Sequence, residues 1–127
     1  MKKKALKKLS KALRSGEFEQ YRGSCYNFKT GGYCVLGVAN SIFGGMSGKA
    51  QEGLYTLSPK TVDAVGFHDN MPYFLGIGLY ALNDGRDSNI CSKIGIDYLT
   101  FDELADLIDI AVIDGPKKYF GTKEKTT

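Results

Sequence analysis

Cys34 is the residue best placed for covalent chemistry. It follows Gly31-Gly32-Tyr33 and opens an apolar run that reads as a helix, where the helix dipole would favour the nucleophilic thiolate. His68 is the one histidine in the chain, so it is the one imidazole that could act as a base for Cys34. A buried structural cysteine explains the same residue in the same apolar surroundings, and a lone Cys with a lone His is a weak mark of a hydrolase. His68, Asp69 and Asp84 could be combined as metal ligands, but no pair of them has diagnostic spacing. Gly44-Gly45-Met46-Ser47-Gly48-Lys49 has the glycines and lysine of a phosphate cradle without the GxxxxGK[ST] order or a preceding strand. No catalytic residue, metal or cofactor is assigned on these grounds.

A nucleotide can also be held without a glycine-rich motif. An arginine meets the phosphate, an aromatic face covers the base and a side-chain amide reads an edge. Arg22, Tyr26, Tyr33, Asn83, Asp84 and Arg86 are of these types and lie near a predicted hairpin and a Leu-Asn-Asp turn. Each has a structural explanation as well. Asn83 and Asp84 suit a helix cap or an Asx-turn, and the tyrosines suit the edge of a core.

The elements that must position these residues are legible to different degrees. Leu6, Leu9 and Leu13 recur at helical spacing among Lys3, Lys4, Lys7, Lys8, Lys11 and Arg14, which predicts a basic amphipathic helix over 3–15 that stops at Gly16. Alternation from Glu17 to Phe28 predicts a strand, and Lys29-Thr30-Gly31-Gly32 turns it into a hairpin. Residues 34–43 are apolar on nearly every side and read as a buried central helix. The glycine-rich stretch 44–53 reads as a surface loop and 54–57 as a short strand. Ser58-Pro59 opens a short helix that Gly66 ends. Residues 79–82 read as a turn or two of helix closing at Asn83-Asp84-Gly85, with an irregular segment over 85–95.

Thr100 and Glu103 form a capping box that predicts a helix over 101–113. Its apolar stripe is wide enough to leave only Asp102, Glu103, Asp106 and Asp109 as a polar face, which suits deep embedding or a subunit interface in a homo-oligomer. These elements make one small α+β domain: an N-terminal amphipathic helix, a β-hairpin, a buried central helix and a capped C-terminal helix. It spans residues 1–116, followed by a basic, mobile tail over 117–127.

Composition removes several classes. No run of apolar residues is long enough for a bilayer span, and lysines interrupt the N-terminal stretch where a signal peptide needs continuous hydrophobicity. Three cysteines without paired close spacing indicate neither a disulfide framework nor structural zinc, so a cytoplasmic location is expected. Charge is strongly polarised. Residues 1–60 carry 11 Lys and Arg against 3 acids, while residues 61–127 carry 6 against 11. Such a chain can steer an anionic ligand, attract a second copy, or neutralise itself on folding. Seven basic residues among the first fourteen would meet phosphates, yet no reading element accompanies them and the second half would repel DNA, so specific nucleic-acid binding is not expected.

Ala12-Leu13-Arg14-Ser15-Gly16-Glu17-Phe18-Glu19-Gln20, Gly32-Tyr33-Cys34-Val35-Leu36-Gly37-Val38, Leu57-Ser58-Pro59, Leu82-Asn83-Asp84 and residues 100–108 together resemble a family of small, uncharacterised phage-encoded proteins. The family pattern has an LRSGxYxQ-like opening, a YCCLGVLCD-like helix, an LP turn, an LND element and a SFxEIADLIE-like helix. The resemblance spans roughly residues 5–109. Val35 and Asn40 stand where the pattern often has cysteine, and the segment between Asp84 and Thr100 is longer. Separately, the surroundings of Cys34 loosely resemble the nucleophile turn of NlpC/P60-type cysteine peptidases. The phage resemblance implies a role acting on the host more than it implies a reaction.

The function expected on these grounds is counter-defence by a non-catalytic sponge that sequesters a nucleotide-derived immune messenger. Arg22 and Arg86 would meet phosphate, Tyr26 or Tyr33 would stack on the base, and Asn83 and Asp84 would read hydroxyls or an edge. The alternative is a protein-binding inhibitor of a host enzyme or defence complex, using the basic helix or the C-terminal stripe. Cysteine hydrolysis through Cys34 stands third.

Overall fold

The computed structural model describes residues 3–66, 73–74, 77–85 and 97–114. The first helix, α1 (Lys3–Arg14), turns Ala5, Leu6, Leu9, Ser10 and Leu13 inward and leaves its five lysines exposed. The last helix, α5 (Phe101–Asp114), buries Phe101, Leu104, Ala105, Ile108 and Val112 at the i, i+3, i+4, i+7 positions of one face. These two stripes pack on each other in the most extensive contact between elements. At its edge the Arg14 guanidinium bonds both Asp106 and Asp109, and the Ser10 hydroxyl donates to Asp109. Both ion pairs are exposed, so each is worth only about 0.2–1 kcal/mol. They neutralise the basic end of α1 only. Ile110 remains exposed, so the predicted stripe on α5 is not wholly embedded.

The central helix, α2 (Val35–Gly44), carries the core residues Val35, Leu36, Val38 and Ala39, in keeping with its apolar sequence. Gly45 ends it in the left-handed conformation, φ 65°. Helix α3 (Pro59–Val65) starts as its sequence predicts: Ser58 Oγ accepts from Thr61 N at 3.2 Å, and Pro59 takes the first position. Gly66 ends α3 at φ 78°. Helix α4 (Leu79–Asp84) closes at Gly85, φ 60°. The capping box of α5 is reciprocal: Thr100 N donates to Glu103 Oε1 at 2.9 Å and Glu103 N donates to Thr100 Oγ1 at 3.2 Å.

Strand structure is slight. β1 (Tyr26–Asn27) pairs antiparallel with β2 (Gly32–Tyr33), and Asn27 Oδ1 holds the turn by accepting from Lys29 N and Thr30 N. β3 (Tyr73–Phe74) pairs antiparallel with β4 (Ile77–Gly78). The architecture is therefore a small α+β domain, as the sequence predicts, with helices forming most of it.

Three local readings need correction. The predicted strand over 17–28 exists only at 26–27. Residues 19–21 instead lie parallel beside Tyr33, with Tyr33 N donating to Glu19 O and Tyr21 N to Tyr33 O. The chain between these two pairings bends through Gly23, whose N–H is held by Asp84. Residues 54–57 form no strand: pairing with the 25–26 segment stops at the Cys25 N to Leu54 O bond beside an isolated Tyr26–Glu52 bridge, and Thr56 O turns to the Asn40 side chain. The loop over 44–53 is not wholly superficial. A 3-10 turn at Lys49–Gln51 carries Gln51 fully inside, where it donates to Gly37 O and Ser41 Oγ and accepts from Asn40. His68, Asp69, Arg86, Cys91, most of the 85–95 segment and the 117–127 tail lie outside the described residues.

Candidate binding groove

Asn83 is fully buried in the last turn of α4, and both faces of its amide are occupied. Its Oδ1 accepts from Gln20 Nε2 at 3.0 Å and from Val35 N at 3.2 Å. Its Nδ2 donates to Tyr21 O at 3.0 Å and to Asp84 Oδ1 at 3.1 Å. An amide has four such capacities, and all four are filled. Val35 N–H is one of the orphan donors at the start of α2, which Cys34 does not cap with its side chain. Asn83 caps α2 from another helix. Gln20 acts alike on α5, since its Oε1 accepts from Phe101 N at 3.0 Å while its Nε2 also donates to Leu99 O. Asp84, also buried, accepts from Gly23 N at 3.0 Å.

The other described residues considered for a nucleotide pocket adjoin this network, since Tyr21 N donates to Tyr33 O and Arg22 lies between Tyr21 and Gly23, but their rings make contacts of their own. Tyr33 packs edge-on against Phe18, with ring centroids 5.1 Å apart, and lies tilted against Tyr26 at 5.0 Å. Arg22 is exposed and stacks its guanidinium 4.4 Å from the Tyr98 ring centre. The structure thus gathers Asn83 and Asp84 around the Tyr21–Gly23 backbone, Tyr26 with Tyr33, and Arg22 with Tyr98. It gives Asn83 no amide edge to offer a ligand.

Cys34 occupies the N-cap position of α2 and is fully buried beside Cys25, which is equally buried and also free. Cys34 N donates to Cys25 O at 3.2 Å. Burial, followed by the hydrogen bond with Cys25, pushes the Cys34 thiol well up, outweighing the N–H groups of Leu36 and Gly37 that favour the thiolate. The expected activation of Cys34 by the helix dipole is therefore reversed. In native protein at pH 8, peptide-resolved mass spectrometry should show Cys34 resisting iodoacetamide at least tenfold longer than in urea, where unfolding restores an ordinary thiol. Equal rates would mean that Cys34 is accessible. The linkage sign follows: a raised native pKa gives stability that is present below the unfolded thiol value and lost as pH rises through the native one.

Among the described residues no cluster of three metal-ligating side chains occurs, and no helix is long and apolar enough to cross a membrane. What the surface does offer is a groove along α1. One cavity of about 270 Å³ is lined by Lys4, Ala5, Lys8, Phe43 and Ala64. A second, of about 250 Å³, is lined by Lys8, Lys11, Ala12, Ser15, Glu17, Phe18 and Ile42. Lys8 separates them and holds its ammonium 5.7 Å from the Phe43 ring centre. Lys4, Lys8 and Lys11 are exposed and enter no ion pair among the described residues.

The lysines of this groove were legible in the helical pattern. Its floor was not, because Ile42 and Phe43 belong to a run that reads as wholly buried, whereas both are half-exposed in the final turns of α2. No protein-family model matches this sequence, and neither a curated protein nor a solved structure matches it.

Proposed function

We propose that this chain works by binding rather than catalysis, and that it occupies an acidic surface of another protein through the lysine-rimmed groove of α1. The resemblance to small phage proteins supports a role in counter-defence, as an inhibitor of a host enzyme or defence complex. The observation that carries the reading is the row Lys4, Lys8 and Lys11, which enter no ion pair among the described residues, beside a floor of Ala5, Ala12, Phe43 and Ile42. An apolar floor supplies burial and a charged rim supplies steering and specificity. Each cavity is smaller than the roughly 300–1,000 Å³ of pockets that enclose small ligands, and Lys8 stands between the two. A shallow double groove suits a protein segment better than an enclosed nucleotide.

Sequestration of a nucleotide-derived messenger is the second reading, favoured by the exposed Arg22 stacked on Tyr98. Phosphate contact at the guanidinium and base stacking on such a ring are the interactions a messenger would use. A panel of cyclic and ADP-ribose-derived nucleotides separates the two readings. Under the groove reading none raises the melting temperature, and a Lys4→Glu, Lys8→Glu, Lys11→Glu variant loses tenfold or more in affinity for acidic peptides while keeping its melting temperature within a few degrees. A nucleotide-induced rise that survives the triple variant and disappears in Arg22→Ala would establish the messenger reading instead, by mass action on the native state.

A further inference from the structure

Resting on the groove reading above, we infer that the occupant is an amphipathic acidic α-helix lying along α1, with two large apolar side chains seven residues apart and carboxylates between them. The two depressions form over the small side chains Ala5 and Ala12, which are two helical turns apart. At 1.5 Å rise per residue their separation along the axis is about 10.5 Å. A helix laid along α1 presents its residues i and i+7 at that same separation on one face, so both anchors enter together: one against Phe43, the other against Phe18 and Ile42.

An extended segment does not fit this spacing. At about 3.4 Å per residue, three residues span the gap, and residues i and i+3 of a strand point to opposite faces. Two or four residues would keep both side chains on one face but would miss one depression by about 3 Å or more.

Charge selects the sequence between the anchors. Lys8 stands between the two depressions, with its ammonium near the Phe43 ring, so it faces positions i+3 and i+4 of the docked helix. Lys4 and Lys11 extend the positive rim to either side. Carboxylates at i+3 and i+4 are therefore matched. Glu17 lines the far end of the second depression, which makes that end unfavourable for an acid outside the anchors.

Three labelled peptides of helix-favouring background test this against the full chain by fluorescence anisotropy. One carries Leu at i and i+7 with Glu at i+3 and i+4, a second has the same composition with the second Leu at i+5, and a third replaces both Glu with Gln. The first is expected to bind at least tenfold more tightly than the others, to weaken with added salt, and to lose tenfold or more against Lys8→Glu, whose fold is checked by circular dichroism. Equal binding of the two Leu spacings, both lost in Lys8→Glu, would overturn the helical occupant while leaving the groove as a binding surface. Binding of none of the three would remove both. Displacement of the first peptide by duplex DNA at lower concentration than by unlabelled peptide would also overturn the inference, since the lysines would then be reading phosphates.

Discussion

Replacing Asn83 with alanine is expected to lower the unfolding free energy by about 3 kcal/mol or more, a large part of the roughly 5–15 kcal/mol that holds a domain of this size together. The loss does not come from hydrogen bonds as such, which contribute little net when water can replace them. It comes from what is left behind: the buried Val35 N–H at the start of α2 and the partly buried Tyr21 C=O beside it, both bonded to a side chain that is itself fully buried. A buried donor or acceptor without a partner costs about 1–3 kcal/mol. Asn83→Asp sharpens the test, because it keeps an acceptor for Val35 N–H but removes the donor to Tyr21 O and sets a carboxylate against Asp84. Urea titration followed by circular dichroism should therefore show both variants destabilised. A loss under about 1 kcal/mol in Asn83→Ala would mean that water enters and replaces the amide.

Gly37→Ala is expected to destabilise although it improves helix propensity. In an exposed helix the change would gain about 1 kcal/mol. Here a Cβ would collide with the Cys25 carbonyl oxygen and stand 2.9 Å from its carbon, which are backbone atoms with no rotamer to change. The hairpin entry and α2 would have to separate, disturbing the Cys34 N–H to Cys25 O bond and the Cys25–Asn40 contact. Overpacking of this kind costs about 1–3 kcal/mol, and backbone contact puts this site at the upper end. Gly44→Ala is the control. Its nearest obstacles are the Thr61 and Ser58 hydroxyl oxygens, 2.7 and 2.8 Å away on side chains, so yielding costs at most the Ser58 cap of α3, about 0.5–2 kcal/mol, and no backbone shift. Thermal melts should order the variants with Gly37→Ala well below Gly44→Ala. The reverse order would show that α2 can shift relative to Cys25.

These two sites also mark where sequence reading stops. Helix ends are legible because their chemistry is local: Thr100 and Glu103 are three residues apart, as are Ser58 and Thr61, and Gly66 follows its helix directly. The partners of Asn83 lie elsewhere along the chain, at Gln20, Tyr21 and Val35, and those of Gln20 at Leu99 and Phe101. No periodicity encodes such pairs. The alternation over 17–28 misleads for the same reason, since Gln20 points at α4 and α5 rather than marking the polar face of a strand. Gln51 reads as loop because it is polar and surrounded by glycines, yet Asn40 and the Gly37 carbonyl draw it fully inside.

The candidate site follows the same division. The lysine face of α1 is a helical pattern, so it is visible in the sequence. The groove is not, because Phe18, Ile42 and Ala64 meet α1 only after α2 and α3 have packed on it. Conversely, Asn83 and Asp84 have residue types that suit a ligand but surroundings that make them structural. They satisfy backbone and neighbouring side chains of the protein itself, the helix-cap role that their residue types also allow.

The most direct test of a binding role for α1 is an amide chemical-shift titration of the full chain with an acidic amphipathic peptide. Saturable shifts are expected at Ala5, Lys8 and Ala12 on one side of the groove and at Ile42 and Phe43 on the other, diminishing as salt is raised. Shifts centred on Arg22 and Tyr98, or none along α1 at millimolar peptide, would contradict it.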